Sequence, residues 1–156
     1  MMQLLQLNHL DRKALYHLIE ESSQEGHQFV GRMLEEYENG SMTFQRPREA
    51  LFAAVDEGQI LGVCGLSPDA YLQQPHIGRV RHLYVAQKAR GKGISRILLN
   101  AVLAEAALHY QLVTLYTDNP VAARLYESAG FLPCTGLHKA THCLPIQEDH
   151  AIAEQP

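Results

Sequence analysis

One short turn, Lys88-Ala89-Arg90-Gly91-Lys92-Gly93-Ile94-Ser95, constrains this chain more than any other stretch. It follows the apolar run Leu83-Tyr84-Val85 and opens a long helical pattern. Two glycines one residue apart allow a tight turn and a close backbone approach to a ligand. Amides leaving a helix N-terminus collect partial positive charge, and Lys88, Arg90 and Lys92 surround that point. A strand, a basic glycine turn and a helix in this order suit a diphosphate. The spacing is not the G-x-x-x-x-G-K-[ST] of a P-loop. Ile94-Ser95-Arg96 follows Gly91-Lys92-Gly93, so the third glycine of a dinucleotide fingerprint is missing. Alone, this stretch is also compatible with a structural turn ahead of a helix.

A second motif narrows the choice. Residues 112–117, Leu-Val-Thr-Leu-Tyr-Thr, read as a buried strand. Asn119 then has the character of a helix N-cap, Pro120 of a first helical residue, and Gly130 of a C-terminal stop. Ala122 and Tyr126 are four apart and share one helix face. Taken together, Lys88-x-x-Gly91-x-Gly93 and Asn119-x-x-Ala122-x-x-Leu125-Tyr126-x-x-x-Gly130-Phe131 resemble the acyl-CoA site of the GNAT N-acetyltransferase superfamily. The resemblance runs over about residues 50–146 in motif order, and the N-terminal helices suit the same layout. Lys88 stands where Arg or Gln is usual, Gln87 where proline is frequent and Ser95 where glycine is frequent. Lys88 keeps a donor but loses the planar fork of arginine.

Periodicity gives an element order β-α-α-β-β-β-α-β-α-β-β. The first strand is expected near 3–7. Helices follow with stripes Ala14, Leu15, Leu18, Ile19 and Phe29, Val30, Met33, Leu34, Tyr37. Residues 50–55 and 60–66 read as a hairpin turned at Asp56-Glu57-Gly58-Gln59. A strand is expected near 78–86 and a third helix over about 93–109, with Ile94, Ile97, Leu98, Ala101, Val102 and Leu108 on its core face. The last strands begin at Phe131 and near 140–146, and a polar tail covers 147–156. Such an order gives an α/β (α+β) sheet covered by helices. The resemblance implies a GNAT-like fold: a mixed, mostly antiparallel sheet of about seven strands with about four helices, strands four and five splaying apart to admit CoA.

At 156 residues and 46% hydrophobic content, the chain is sized for a single globular domain with a substantial core. Its net charge of −4 argues against broad nucleic-acid binding, and its apolar runs are too short for a membrane span. Arg79, Arg81, Lys88, Arg90, Lys92 and Arg96 instead concentrate positive charge locally, as a small anionic ligand requires. Three cysteines without C-x-x-C spacing, behind a start that lacks a basic leader, point to reduced thiols and a cytoplasmic setting. His138, His142 and Cys143 carry no matching cysteine pair, so no metal is expected.

Acetyl transfer to an amine needs a neutral amine, donors for the developing oxyanion and a proton for the departing thiolate. The resemblance implies Tyr126 as the proton donor and the Val85 amide as the oxyanion donor, at a bulge in strand four. It also implies cofactor contacts from Leu83, Val85, Lys88, Arg90, Gly91, Lys92, Gly93, Ile94, Ser95, Asn119 and Ala122. No Asp or Glu lies in 77–86, which leaves His82 as the titrating base of that strand, with a core histidine as the competing reading. In a regular strand Arg79 and Arg81 share one face and His82 takes the other. Facing an acceptor, the arginines would suit a carboxylate or phosphate on it. Glu25, His27 or water are the other bases. The expected function is acetyl-CoA-dependent N-acetyl transfer to an amine of a small molecule or protein, with homodimerisation open. A non-catalytic acyl-CoA-binding module and a nucleotide-binding module are the competing functions.

Overall fold

The computed structural model describes residues 1–146. The chain runs β1 (Met2–Gln6), α1 (Arg12–Gln24), α2 (Phe29–Asn39), β2 (Ala50–Asp56), β3 (Gln59–Pro68), β4 (Ile77–Val85), α3 (Ile94–Ala106), β5 (Leu112–Leu115), α4 (Pro120–Ser128), β6 (Leu132–Pro133) and β7 (His142–Pro145). A single 3₁₀ turn, Gln87–Ala89, links β4 to the glycine turn. The expected element order holds, with ends shifted by a few residues. The third helix stops at Ala106, short of 109, so Leu108 lies 74% exposed rather than on the core face. The polar tail from 147 lies outside the described residues.

The seven strands form one sheet in the order β1-β2-β3-β4-β5-β7-β6. Every pairing is antiparallel except β4 with β5. The β2–β3 hairpin turns through Glu57 and Gly58, both at positive φ, which matches the right-handed twist of the strands. Strand alternation sends side chains to two cores. Leu15 and Leu18 of α1 and Val30, Met33 and Leu34 of α2 cover one face with Leu51, Ala53 and Val63. Leu98, Leu99 and Val102 of α3 cover the other with Ala54, Cys64, Leu66 and Val80, and Tyr126 and Phe131 extend this second core toward α4.

The parallel β4–β5 register runs only from Ile77↔Leu112 to Arg79↔Thr114. Beyond Arg79 the strands part, as expected for strands four and five. The hinge of that separation is tightly packed. A Cβ on Gly78 would lie 2.5 Å from the Tyr110 ring. Tyr110 cannot retreat cheaply, because it is buried, its hydroxyl donates to the Arg48 carbonyl at 2.7 Å, and the Arg48 guanidinium stacks on its ring at 4.8 Å. Gly78→Ala should therefore destabilise the fold by about 1–3 kcal/mol through overpacking. A urea unfolding curve should show a lower midpoint at unchanged slope, and an unchanged midpoint would contradict this packing.

Candidate functional site

Beyond Arg79 the separated strands open a cleft of about 1280 Å³, lined by β4, the start of α2, the segment after β5 and α4. A smaller cavity of about 150 Å³ adjoins it at the glycine turn. Leu83, Val85, Arg90, Ser95, Asn119, Ala122, His82 and Tyr126 line the large cleft. Gly91, Gly93 and Ile94 line the small one together with Val85, Arg90 and Ser95. Lys88 and Lys92 line neither, and the Lys88 ammonium is held by the Gln59 side chain.

The glycine turn works through its backbone. Gly91 has φ +79° and Gly93 φ +80°, where a side chain is strained. Gly93 is the N-cap of α3, and no side chain caps the helix. The helix's first i→i−4 bond runs from Ile97 N to the Gly93 oxygen at 3.1 Å, so the amides ahead of Ile97 are left for another acceptor. The Arg90 amide is already donated to the Gln87 oxygen. Open space lies where a Cβ of Gly91 or Gly93 would stand. Uncapped amides and adjoining space fit a diphosphate.

Strand β4 carries its bulge at His82 and Leu83 rather than at Val85. Val63 pairs with Tyr84 and Gly65 with Arg81, so Cys64 alone faces both His82 and Leu83. His82 takes φ +62°. This breaks the alternation assumed from sequence, and Arg79, Arg81 and His82 all line the one cleft. Past the bulge the ladder resumes. Ala86 N donates to the Leu61 oxygen at 2.7 Å, which makes Ala86 and Leu61 a hydrogen-bonded pair. Antiparallel alternation then turns the Val85 N–H and C=O away from β3 and toward the gap. The Val85 oxygen indeed accepts from Arg90 Nε at 3.0 Å.

The His82 ring packs between Phe29, stacked with centroids 6.3 Å apart, and Phe44, edge-on at 6.0 Å. Both ring nitrogens are buried without a hydrogen-bond partner. Burial, with the nearby Arg81 and Arg32 charges, pushes its pKa down to about 3. The ring is therefore neutral at pH 7 and a weak base. It is a core histidine, though not a hydrogen-bonded one.

Arg90 is committed within the protein. Its guanidinium grips the Glu25 carboxylate at 2.9 and 3.0 Å and stacks over Tyr84 at 5.4 Å. Glu25 also accepts from Tyr84 Oη at 2.6 Å and from the Gln87 side chain at 2.6 Å. Glu21 adds a bond to the Gln87 amide at 2.9 Å. The end of α1 is thus tied to the glycine turn across 65 residues of sequence, a link that no local motif announces. Asn119 is likewise occupied, since its Oδ1 caps α4 through Val121 N at 2.8 Å.

Tyr126 sits one turn beyond Ala122 on the cleft wall, 8% exposed, its ring edge-on to Phe131 at 5.8 Å. Its hydroxyl has no hydrogen-bond partner among the described residues. Burial pushes its pKa well above the ordinary tyrosine value, and proximity to Cys64 adds to this. The phenol keeps its proton at neutral pH.

With this geometry in place, the comparisons with known proteins bear on it directly. The profile of the Acetyltransferase (GNAT) family matches residues 12–131. The chain belongs to the GNAT acetyltransferase family. A provisionally named acetyltransferase structure from Exiguobacterium sp. 255-15 is 34% identical, covers 99% of this chain and 98% of its own, and superposes with a TM-score of 0.84. The GNAT family N-acetyltransferase YhbS from Escherichia coli, solved in complex with CoA, shares the fold at 20% identity, with 95% and 83% coverage and a TM-score of 0.69. N-acetylaspartate synthetase from Xenopus tropicalis is 32% identical over 90 residues, 56% of this chain and 32% of that protein. The chain therefore spans about a third of the length of that curated relative. Among the described residues, no helix is long and apolar enough to cross a membrane.

The Arg90–Glu25 link has a measurable acid signature. Led by the Arg90 hydrogen bonds and opposed by burial, it lowers the Glu25 pKa from an ordinary 4.5 to about 2. A folded-state pKa below the unfolded one contributes stability above the unfolded value, lost as pH falls through the folded one. The parent should therefore lose stability between about pH 4.5 and pH 2 more steeply than Glu25→Gln. Urea midpoints of both proteins across that range test this, and parallel curves would mean the pair does not form in solution.

Proposed function

We propose that the chain transfers an acetyl group from acetyl-CoA directly to an amine. The observation that carries this is the Tyr126 hydroxyl, which has no hydrogen-bond partner among the described residues and stands on the wall of the cleft between β4 and β5. In this reading the donor's diphosphate lies on the amides of residues 91–95, and its acyl arm enters the gap along Leu83 and Val85. The CoA-bound fold relative and the glycine geometry support that placement.

The reaction follows from the groups on the walls. Holding donor and amine in contact supplies much of the rate. As the amine nitrogen bonds to the thioester carbon, negative charge grows on the carbonyl oxygen, and the Val85 N–H, turned into the gap, donates to it. When the carbon–sulfur bond breaks, Tyr126 gives its proton to the thiolate, and the proton lost by the amine is returned to the phenolate through the base or water. The acceptor must arrive neutral. His82 is neutral but a weak base, and Glu25 is held by Arg90. Half-buried His27 on the cleft wall, or water, is left to take the amine proton. A relative named for making an N-acetylated amino acid is consistent with an amine acceptor. The competing reading, a non-catalytic acyl-CoA module, gives no role to an unpartnered hydroxyl on the cleft wall.

Two variants separate binding from chemistry. Gly91→Val strains a backbone at φ +79° and puts a branched side chain where the phosphates would approach. It should lower acetyl-CoA affinity markedly in a calorimetric titration, and full affinity would place the cofactor elsewhere. Tyr126→Phe keeps the ring and removes the hydroxyl. Its turnover, followed by thiol release with a panel of amines, should fall on the order of 10²–10⁴-fold, toward the lower end, with acetyl-CoA affinity barely changed. Turnover within about twofold of the parent would reduce Tyr126 to a packing residue.

A further inference from the structure

The end of the cleft remote from the glycine turn is walled by α2 and by β4 before the bulge, and its charges are unequal in commitment. Arg79 is fully engaged. It lies 3.4 Å from buried Asp69, donates to the Lys139 oxygen at 2.8 Å and stacks over Tyr71 at 4.8 Å. Asp69 in turn is satisfied by the Tyr71 and Leu72 amides and by Thr114 Oγ1. This group braces the loop after β3 and adds no net charge.

Arg81 and Arg32 differ. Among the described residues Arg81 meets one anion, Glu36, at 3.5 Å, a contact without hydrogen-bond geometry, and the buried Glu36 Oε1 accepts no hydrogen bond from any of them. Arg32, one helical turn before Glu36 on α2, is exposed and joins no ion pair among the described residues. Both arginines and Glu36 line the cleft. Two cations against one anion leave this wall with one net positive charge. Glu36 holds Arg81 by Coulombic attraction alone, which a planar carboxylate making paired N–H···O bonds outcompetes.

From this we infer that the acyl acceptor is an amine that carries a carboxylate, bound between Arg32 and Arg81. The inference rests on the reading of the cleft as an acyl-transfer site. A monoanionic group brings the wall to neutrality. A lysine-like cation or a polyamine would raise that positive charge further and displace nothing, so cationic acceptors are disfavoured. Guanidinium forks, rather than ammonium groups, suit recognition of a flat carboxylate. Glu36 is the anion that occupies Arg81 when no acceptor is present.

The test uses the full chain with acetyl-CoA and four acceptors: glycine, glycinamide, L-aspartate and spermidine. Thiol release should be faster with glycine and L-aspartate than with glycinamide and spermidine. In Arg81→Gln and in Arg32→Gln the acid-to-amide ratio of kcat/KM should fall about tenfold or more, as for a lost charge-assisted hydrogen bond. Calorimetric CoA binding shows that each variant is folded, and L-aspartate titrated onto the CoA-saturated parent should bind more tightly than onto Arg81→Gln. Release with glycinamide or spermidine matching or exceeding that with the acids would keep the acyl-transfer reading and overturn the carboxylate inference. An unchanged ratio in both variants would overturn it too. No release with any acceptor, and no binding of L-aspartate, would overturn both.

Discussion

The parting of β4 from β5 after Arg79 is the constraint on which the rest of this structure depends. Three parallel residue pairs hold the strands together, and then each goes its own way. A parallel pair that ends early leaves backbone N–H and C=O groups facing a gap, and such groups need partners. On the β4 side Arg90 takes the Val85 carbonyl and leaves the Val85 N–H available. On the far side of the gap α4 presents Ala122 and Tyr126. The cleft is therefore a consequence of sheet topology, and its chemistry is a consequence of which polar groups the separation leaves unpaired.

The bulge at His82 governs what faces the gap. One extra residue in β4 shifts the alternation: Arg81 and Val85, which a regular strand would put on one face, fall on opposite faces, Arg81 against Glu36 of α2 and Val85 in the core under α3, and both border the cleft. His82 sits at positive φ and buries an imidazole with no hydrogen bonds between two phenylalanines. Both features are costly, and the surrounding packing of α2 against the sheet holds them in place. The Glu25 cluster braces the other end. It fixes Arg90, and through Arg90 the glycine turn, against the last turn of α1.

Much of this was legible in the sequence, and the exceptions have physical causes. Asn119 and Pro120 announce α4 by local capping chemistry, and Asn119 caps it as read. Gly91 and Gly93 announce a tight turn, and both take positive φ in it. These are short-range signals. The resemblance put the bulge at Val85 rather than at His82, because a non-glycine residue at positive φ inside a strand carries no local mark. Arg90 looked like a phosphate ligand because its partner, Glu25, is distant in sequence. Leu108 looked like core because the helical stripe continues past the point where the helix stops. Arg81 is legible as suited to an acidic group on the acceptor, but its neighbours Arg32 and Glu36 are not, for the same reason as Glu25: they join α2 to β4 only in the folded chain.

The central claim is that this gap receives an acyl-CoA with its diphosphate on the uncapped start of α3. Amide-resolved NMR of the whole chain tests it most directly, with CoA titrated in and dephosphorylated adenosine as the control. The account predicts that CoA, and not adenosine, slows exchange and shifts the amides of residues 91–96 together with that of Val85. Unperturbed amides at those positions in the presence of saturating CoA would contradict it.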